Sequence, residues 1–523
     1  MVEPHRELKL TTSESTQQIL ITKMKNMRWI VLTILLIAYP CFATTYYSDY
    51  STGNDSANGT STSTPWKHIP GMSGWIGSAT LSSGDIVVMK GGVTWTFAST
   101  TDDILAIGSS GVTIQGGQLL GTPWGAGYPV LDGTGTTGSR QGIYMNNKTS
   151  VVINGLKIYN TQLSPSGSSG IFVYGSASNV EIKNCYLLNT GDQSIRVIPS
   201  NGSSHILIHD NITENVGRMF FVVNDANSVD DVQIYNNTFL GPGNWPGGII
   251  GGVHGDGIMI GSECTAANTC LTHLKIHHNK FYGDWAQGAT ALIFLQNGTA
   301  SGGTQYGGNH VEVYDNQIAI DSDGLLSDLM QVWAIWNDLK IYNNTFGAYT
   351  GGSIGVTKCL SFTHASTNID VKNNIFSGCI QSAIYAGEVA TNSSLTADYN
   401  YYSTEITRFF NGWPPGSADC RSITACQGSP FNQEAHGRTG DPKFVTLSNG
   451  SNGSGNWSIQ SSSPAINVGY NLGSNYNTDI LAISRPQGSA WDIGAYEYAS
   501  GSGSTTILGN GASAGNGAVI GSN

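Results

Sequence analysis

Between residues 140 and 285 the chain sets arginine, aspartate and histidine at intervals that suit chemistry on an acidic sugar. Four short apolar phrases, "GIYM" at Gly142, "GIFV" at Gly170, "SIRV" at Ser194 and "FFVV" at Phe220, are built alike. Counting back three residues from the inward apolar residue of each gives Arg140, Ser168, Asp192 and Arg218. A fifth phrase, "GIMI" at Gly257, is entered through "HGDGI", which brings His254 and Asp256 to the same edge. Arg196, inside "SIRV", alternates outward beside them. β-Elimination of a uronic acid needs a cation to neutralise the carboxylate and a base to take the C5 proton. Arg218 or Arg196 would neutralise or act as base, His254 would be base or acid, and Asp192 or Asp256 would orient it or hold Ca²⁺. The second chemistry is glycoside hydrolysis by two carboxylates, for which Asp192, Asp256 and Asp284 are available. Arg140 would pair with an acidic sugar, and Trp245, Asp284 and Trp285 would line the substrate groove. Beside this stands a structural reading. Asp192 with Arg218 would be a surface ion pair of about 0–1 kcal/mol, and Asp256 a turn residue accepting backbone N–H bonds.

What must position these residues is a repeat. "VQIYNNTFLG" from Val232 returns as "LKIYNNTFGA" from Leu339, and related phrases begin at Ile206, Leu274, Val311, Ile369 and, decayed, at Leu395. The common pattern, apolar-x-apolar-x-x-Asn-x-apolar, puts Asn211, Asn237, Asn279, Asn316, Asn344, Asn374 and Asn400 in register. Looser members begin at Val151 and Val180. Each unit reads as two or three short strands with a period of roughly 25 to 40 residues and variable insertions. No useful stretch of helical periodicity follows the N-terminal region. Stacked at about 4.8 Å, such units form a solenoid. Ile153, Ile182, Ile208, Ile234 and Ile276 become an inward ladder, and the asparagines hydrogen-bond along the stack at a sharp turn where left-handed geometry is tolerated.

In these phrases the chain resembles the right-handed parallel β-helix proteins of the pectate-lyase-like superfamily, over roughly Tyr46 to Tyr498. "LSSGDIVVMKGGVTW" is similar to their first coils, and "GDPKFV", "WSIQSSSPAINVG" and "RPQGSAWDIGAYEY" to their closing segment. The resemblance implies an all-β right-handed parallel β-helix, a single elongated domain with an internal Asn ladder. It also implies a polysaccharide groove on one long face, with the "GPGNWPGGIIGGVHG" insertion walling it. It does not carry a substrate across. The Asn-Thr-Asp, Asp-Asp, Gly-His-Gly and Arg-x-Lys set of polygalacturonases is missing, as are the Trp-x-Asp-His and Arg-x-Pro phrases of the main pectate-lyase group. The expected function is cleavage of an extracellular, acidic polysaccharide by elimination or hydrolysis. The alternative is a non-catalytic adhesin or polysaccharide-binding surface protein.

Composition bounds the rest. Only 11% of the 523 residues are charged, Gly numbers 68, and the formal net charge is −12, a profile of strands and turns that disfavours a nucleic-acid partner. Lys23, Lys25 and Arg28 precede an apolar run that ends in "CFA" at Ala43, as in a cleaved secretory signal, with translation starting at Met24 or Met27. The mature chain is then expected to be secreted or cell-surface, to lack a membrane span, and to be a monomer capped at both ends. Of eight cysteines, Cys264 with Cys270 and Cys420 with Cys426 bracket small loops and read as disulfides; Cys359 with Cys379 is a third pairing, and Cys185 is left as a buried thiol. The expected organisation is extension and signal (1–43), cap and first coils (44–110), β-helix (111–430), closing segment (431–498) and Gly/Ser-rich tail (499–523).

Overall fold

The computed structural model describes residues 43–97, 103–134, 140–161, 167–216, 219–225, 229–241, 255–262, 271–283, 285, 290–297, 306–320, 326–348, 357–387, 394–412, 414, 419–447 and 455–499. Within the unit Thr44–Asn523 the chain winds through three parallel sheets, of 12, 11 and 12 strands among the described residues. A typical turn of the winding runs Val180–Lys183 in the first sheet, Tyr186–Leu188 in the third and Gln193–Pro199 in the second. The next turn begins at Ser204–His209, directly above Val180–Lys183. This is the solenoid expected from the repeat, in the right-handed parallel β-helix form that the resemblance implies.

Alternation explains the core. Ile153, Ile182, Ile208, Ile234 and Ile276 are in register and fully buried. A parallel column of larger rings fills the third sheet, where Phe239 stacks on Phe281 at 4.6 Å and Phe346 on Phe376 at 5.1 Å. Stacked rings at these distances add directional attraction to the burial of apolar area.

The asparagine ladder is present, with one change of position. All seven ladder asparagines are buried. The first six each pass their backbone N–H and Nδ2–H to the Oδ1 of the next, as Asn237 does to Asn279 at 3.1 Å in both bonds. Nδ2 also donates to a backbone carbonyl of the preceding coil, Ile208 in that case. The left-handed residue is the one before each ladder asparagine: Asp210, Asn236, His278, Asp315, Asn343, Asn373 and Tyr399 all have φ between 51° and 57°. The ladder side chain itself points inward from the residue after the corner. Cys185 holds the same place one coil earlier, its N–H donating to Asn211 Oδ1, and it is a buried free thiol that burial pushes up to about 11. At the far end Glu434, fully buried, takes over from asparagine. It accepts Asn400 N–H and Nδ2–H at 3.2 and 2.7 Å, and the Tyr402 hydroxyl at 2.7 Å.

Cys359–Cys379 and Cys420–Cys426 form disulfides, the second across the short helix Ile423–Gln427. Cys264 and Cys270 lie outside the described residues. The phrase "RPQGSAWDIGAYEY" folds onto the coils through Arg485, a fully buried guanidinium. Arg485 donates to Asp315 in the β-helix at 3.0 Å, to Glu497 at 3.1 Å and to the carbonyls of Asp492 and Gly494. Tyr476 from the same segment meets Tyr314 and Tyr342 edge-on and donates to Glu312. Among the described residues no helix is long and apolar enough to cross a membrane.

Candidate functional site

The strands that carry the predicted edge residues all belong to the second sheet. On its leading edge Asp192 lies in the row of Ser168, and Asp256 one position further in, paired with Met219 in the row of Gln193 and Ser169. This offset takes Asp256 off the surface. It is 1% exposed, and its Oδ1 accepts the backbone N–H groups of Thr290 and Ala291 at 3.2 and 2.9 Å, where the chain enters the next strand. Its Oδ2 has no hydrogen-bonding partner, and burial pushes the carboxyl up to about 7 against the pull of the two N–H donors. Asp192 is 4% exposed, its Oδ2 accepting Gly167 N–H and Gln193 Nε2–H, each at 3.3 Å. Both carboxylates therefore organise backbone in this structure, as in the structural reading of Asp256. Both side chains are buried.

Trp285 corrects an expectation. It was expected to face a groove, but it is a core side chain with no exposure, packed on Phe220 at 5.2 Å and donating through Nε1 to the Tyr282 carbonyl. The coil needs a large apolar filler at this corner, and the indole supplies it with its one donor satisfied. Arg218, Trp245, His254 and Asp284 lie outside the described residues. Arg140 does reach the surface, lining an open depression with Trp75, Asp103 and Met72 at the near end of the sheet.

The outer face of the second sheet carries residues that the edge count passes over. Within each strand the residue between the two inward apolar ones points outward: Tyr144, Phe172 and Arg196 form one such row. Tyr144 lies 5.5 Å from Phe172, which lies 5.8 Å from Tyr174 in the neighbouring outward row. The Arg196 guanidinium sits over the Phe172 ring at 4.8 Å. The signal was in the alternation of "GIYM", "GIFVY" and "SIRV". Rings that stand two residues apart on a strand and side by side between coils make a continuous platform.

The other polar candidates resolve as structure. His277 is sandwiched between Tyr235 and Tyr314 at 4.9 and 4.7 Å, with its Nδ1 2.8 Å from His278 Nδ1. Burial holds His277 well below the usual imidazole value and His278 at about 4, so the pair is neutral. Among the described residues no three His, Cys, Asp or Glu side chains gather as a metal site.

A family model described as "Right handed beta helix region" matches residues 87–244. No curated protein matches the chain. Among solved structures the chain is similar to the pectate lyase Pel9A, at 14% identity and a TM-score of 0.42 over 87% of this chain and 97% of that one. It is also similar to XylC in complex with xylose, at 10% identity and a TM-score of 0.45 over 87% and 98%. A third similar structure is an alginate lyase from Paenibacillus sp. str. FPU-7, at 13% identity and a TM-score of 0.29 over 68% and 93%. The three stacked parallel sheets and the matching family model agree on a right-handed parallel β-helix.

Proposed function

We propose that this chain is a carbohydrate-active β-helix protein that binds an extracellular polysaccharide on the outer face of the second sheet and cleaves it by elimination or hydrolysis. The observation that carries the reading is the Tyr144–Phe172–Tyr174 platform with Arg196 laid across it. Rings take the apolar faces of pyranoses, and a guanidinium beside them takes a carboxylate or hydroxyls. Arg140 extends the same face toward Trp75. Arg218 and His254 keep the proposed roles drawn from the sequence, Arg218 as neutralising cation or base and His254 as base or acid. In that scheme Arg196 neutralises a uronic carboxylate, while Asp256 fixes the backbone at the entry to the next coil.

The test uses the chain from Thr44 with pectin, alginate, glycosaminoglycans and xylan, with and without Ca²⁺, following new reducing ends and the ultraviolet absorbance of unsaturated uronic products. Reducing ends with absorbance are expected of the eliminating enzyme, and reducing ends alone of the hydrolase. Arg196→Ala should lower turnover of an acidic polymer at least tenfold while leaving the thermal midpoint within a degree or two. Unchanged turnover would remove Arg196 from the mechanism. A second reading, binding without cleavage, is favoured by one observation: Asp192 and Asp256 are both buried, and one oxygen of each accepts two hydrogen bonds inside the fold. Retention on a polysaccharide with no product would decide for it.

A further inference from the structure

Farther along the same sheet the outward rows hold a second group of rings. Phe294, itself fully buried, backs Trp333 at 5.9 Å, and Trp333 lies roughly parallel to His364 at 6.4 Å. Trp333 is 41% exposed, a large apolar surface left to solvent, as is Tyr174 at 45% in the first group. Between Phe294 and Ser361 in the register stands Gln331, two residues before Trp333 on the same strand. Gln331 is 6% exposed, yet its Oε1 has no hydrogen-bonding partner. An acceptor without a donor at a nearly closed position costs free energy unless something supplies the donor. Trp333 is flanked by Gln296 and Thr363, so the surroundings are polar and not a continuous apolar patch.

The two groups share one straight row. Tyr174 pairs with Ile198; Val197 paired with Val223 sets Ile198 level with the backbone of Asn224, and from there the register runs through Gly261 and Gln296 to Trp333. Five strand spacings separate Tyr174 from Trp333, about 24 Å at about 4.8 Å each. Gly261, with no side chain, lowers the floor between them. Ring, low floor and ring along one line suit an extended chain of pyranoses, with Arg196 beside the first ring for an acidic or hydroxyl-rich unit.

We propose that Trp333, with Phe294 and His364 around it and Gln331 beneath, forms a distal sugar subsite, where Trp333 stacks on a pyranose and Gln331 Oε1 accepts one of its hydroxyls. With the Tyr174 platform it makes the protein prefer chains on the order of six sugars or longer. This rests on the polysaccharide reading above and deepens it.

The experiment measures retention on, and turnover of, pectin, alginate and xylan, intact and as size-fractionated oligosaccharides, for wild type, Trp333→Ala and Gln331→Leu. Gel filtration at two concentrations accompanies it. The subsite predicts about tenfold weaker binding of long chains in each variant, with short fragments bound alike by all three. Gln331→Leu keeps the volume of the side chain, and Trp333 is half-exposed, so both variants should fold; matching thermal midpoints check this. Long chains bound and cleaved equally by all three would overturn the subsite and leave the polysaccharide reading standing. Retention that depends on Trp333 without any product would keep the subsite and remove only the catalytic part. Failure of every glycan to bind would overturn both. A concentration-dependent dimer dissolved by Trp333→Ala would assign the ring to contact between copies and overturn the sugar subsite.

Discussion

Glu434 and Asp256 are two buried carboxyls with opposite degrees of satisfaction. Glu434 is met by three donors, and Asp256 has one oxygen served twice and the other not at all. Burial pushes each up to about 7. A carboxyl held above its ordinary value favours the folded state while protonated. That contribution is whole below about pH 4 and is lost as the pH rises through about 7. Asp256→Asn keeps an acceptor for Thr290 and Ala291 and replaces the unpartnered oxygen with a neutral group. Glu434 still titrates in the variant, so between about pH 4 and 8 its thermal midpoint should fall less than that of the wild type. Parallel declines would show that Asp256 does not report on this range. Glu434→Ala strips acceptors from Asn400 and Tyr402 and should cost roughly 3 kcal/mol in urea unfolding at pH 6, at about 1–3 kcal/mol per buried orphan; Glu434→Gln should recover much of it.

At the scale of the strand and its corner, the ladder is the element that makes the coils identical. Asn316 accepts from Asn279, donates to Asn344 and to the carbonyls of Ile276 and Tyr314, and is fully buried. Asn316→Ala should therefore destabilise by about 2–4 kcal/mol and more than the exposed Asn368→Ala, read from urea midpoints. The ladder was legible because one letter recurs where one geometry recurs. The residue before it was not, since Asp210, His278 and Tyr399 need only tolerate the same φ, and no single side chain is demanded. Glu434 escaped for a different reason: it reaches the ladder from outside the repeat, so no alignment of phrases contains it. At the site the edge residues misled. A polar residue at a strand start looks the same whether it faces solvent, as Arg140 does, or serves backbone donors, as Asp256 does. Aromatics such as Phe172 and Trp333 satisfy strand preference wherever they point, and only counting the alternation places them outside.

At the scale of the whole β-helix, the closing segment is held by buried charges. Arg485 faces both Asp315 and Glu497, and Asp479 and Asp492 are buried nearby among backbone donors from the same segment. Burial raises Asp315, Asp479 and Asp492, and the guanidinium opposes the rise in all three. Arg485→Met removes the cation and leaves carboxylates facing one another, a loss on the order of 3–5 kcal/mol. Its first expression should be release of the segment: chymotrypsin should cut near Tyr476 or Tyr496 in the variant under conditions where the wild type is intact. A segment that stays protected in the variant would place its anchorage in the apolar cluster of Trp457, Ile480 and Ile493 instead.

The ladder also has a sense along the stack. Every carboxamide turns its oxygen to the coil before and its NH₂ to the coil after, so the amide dipoles add, and the positive end of the column meets the Glu434 carboxylate as an anion meets the start of an α-helix. A coil is therefore a directional module: it must receive donors on one side and offer them on the other. Excising one whole repeat between Asn316 and Asn344 would join like to like and keep the column polarised. An insertion with an apolar residue at that position would split it into two shorter dipoles, the first ending on nothing.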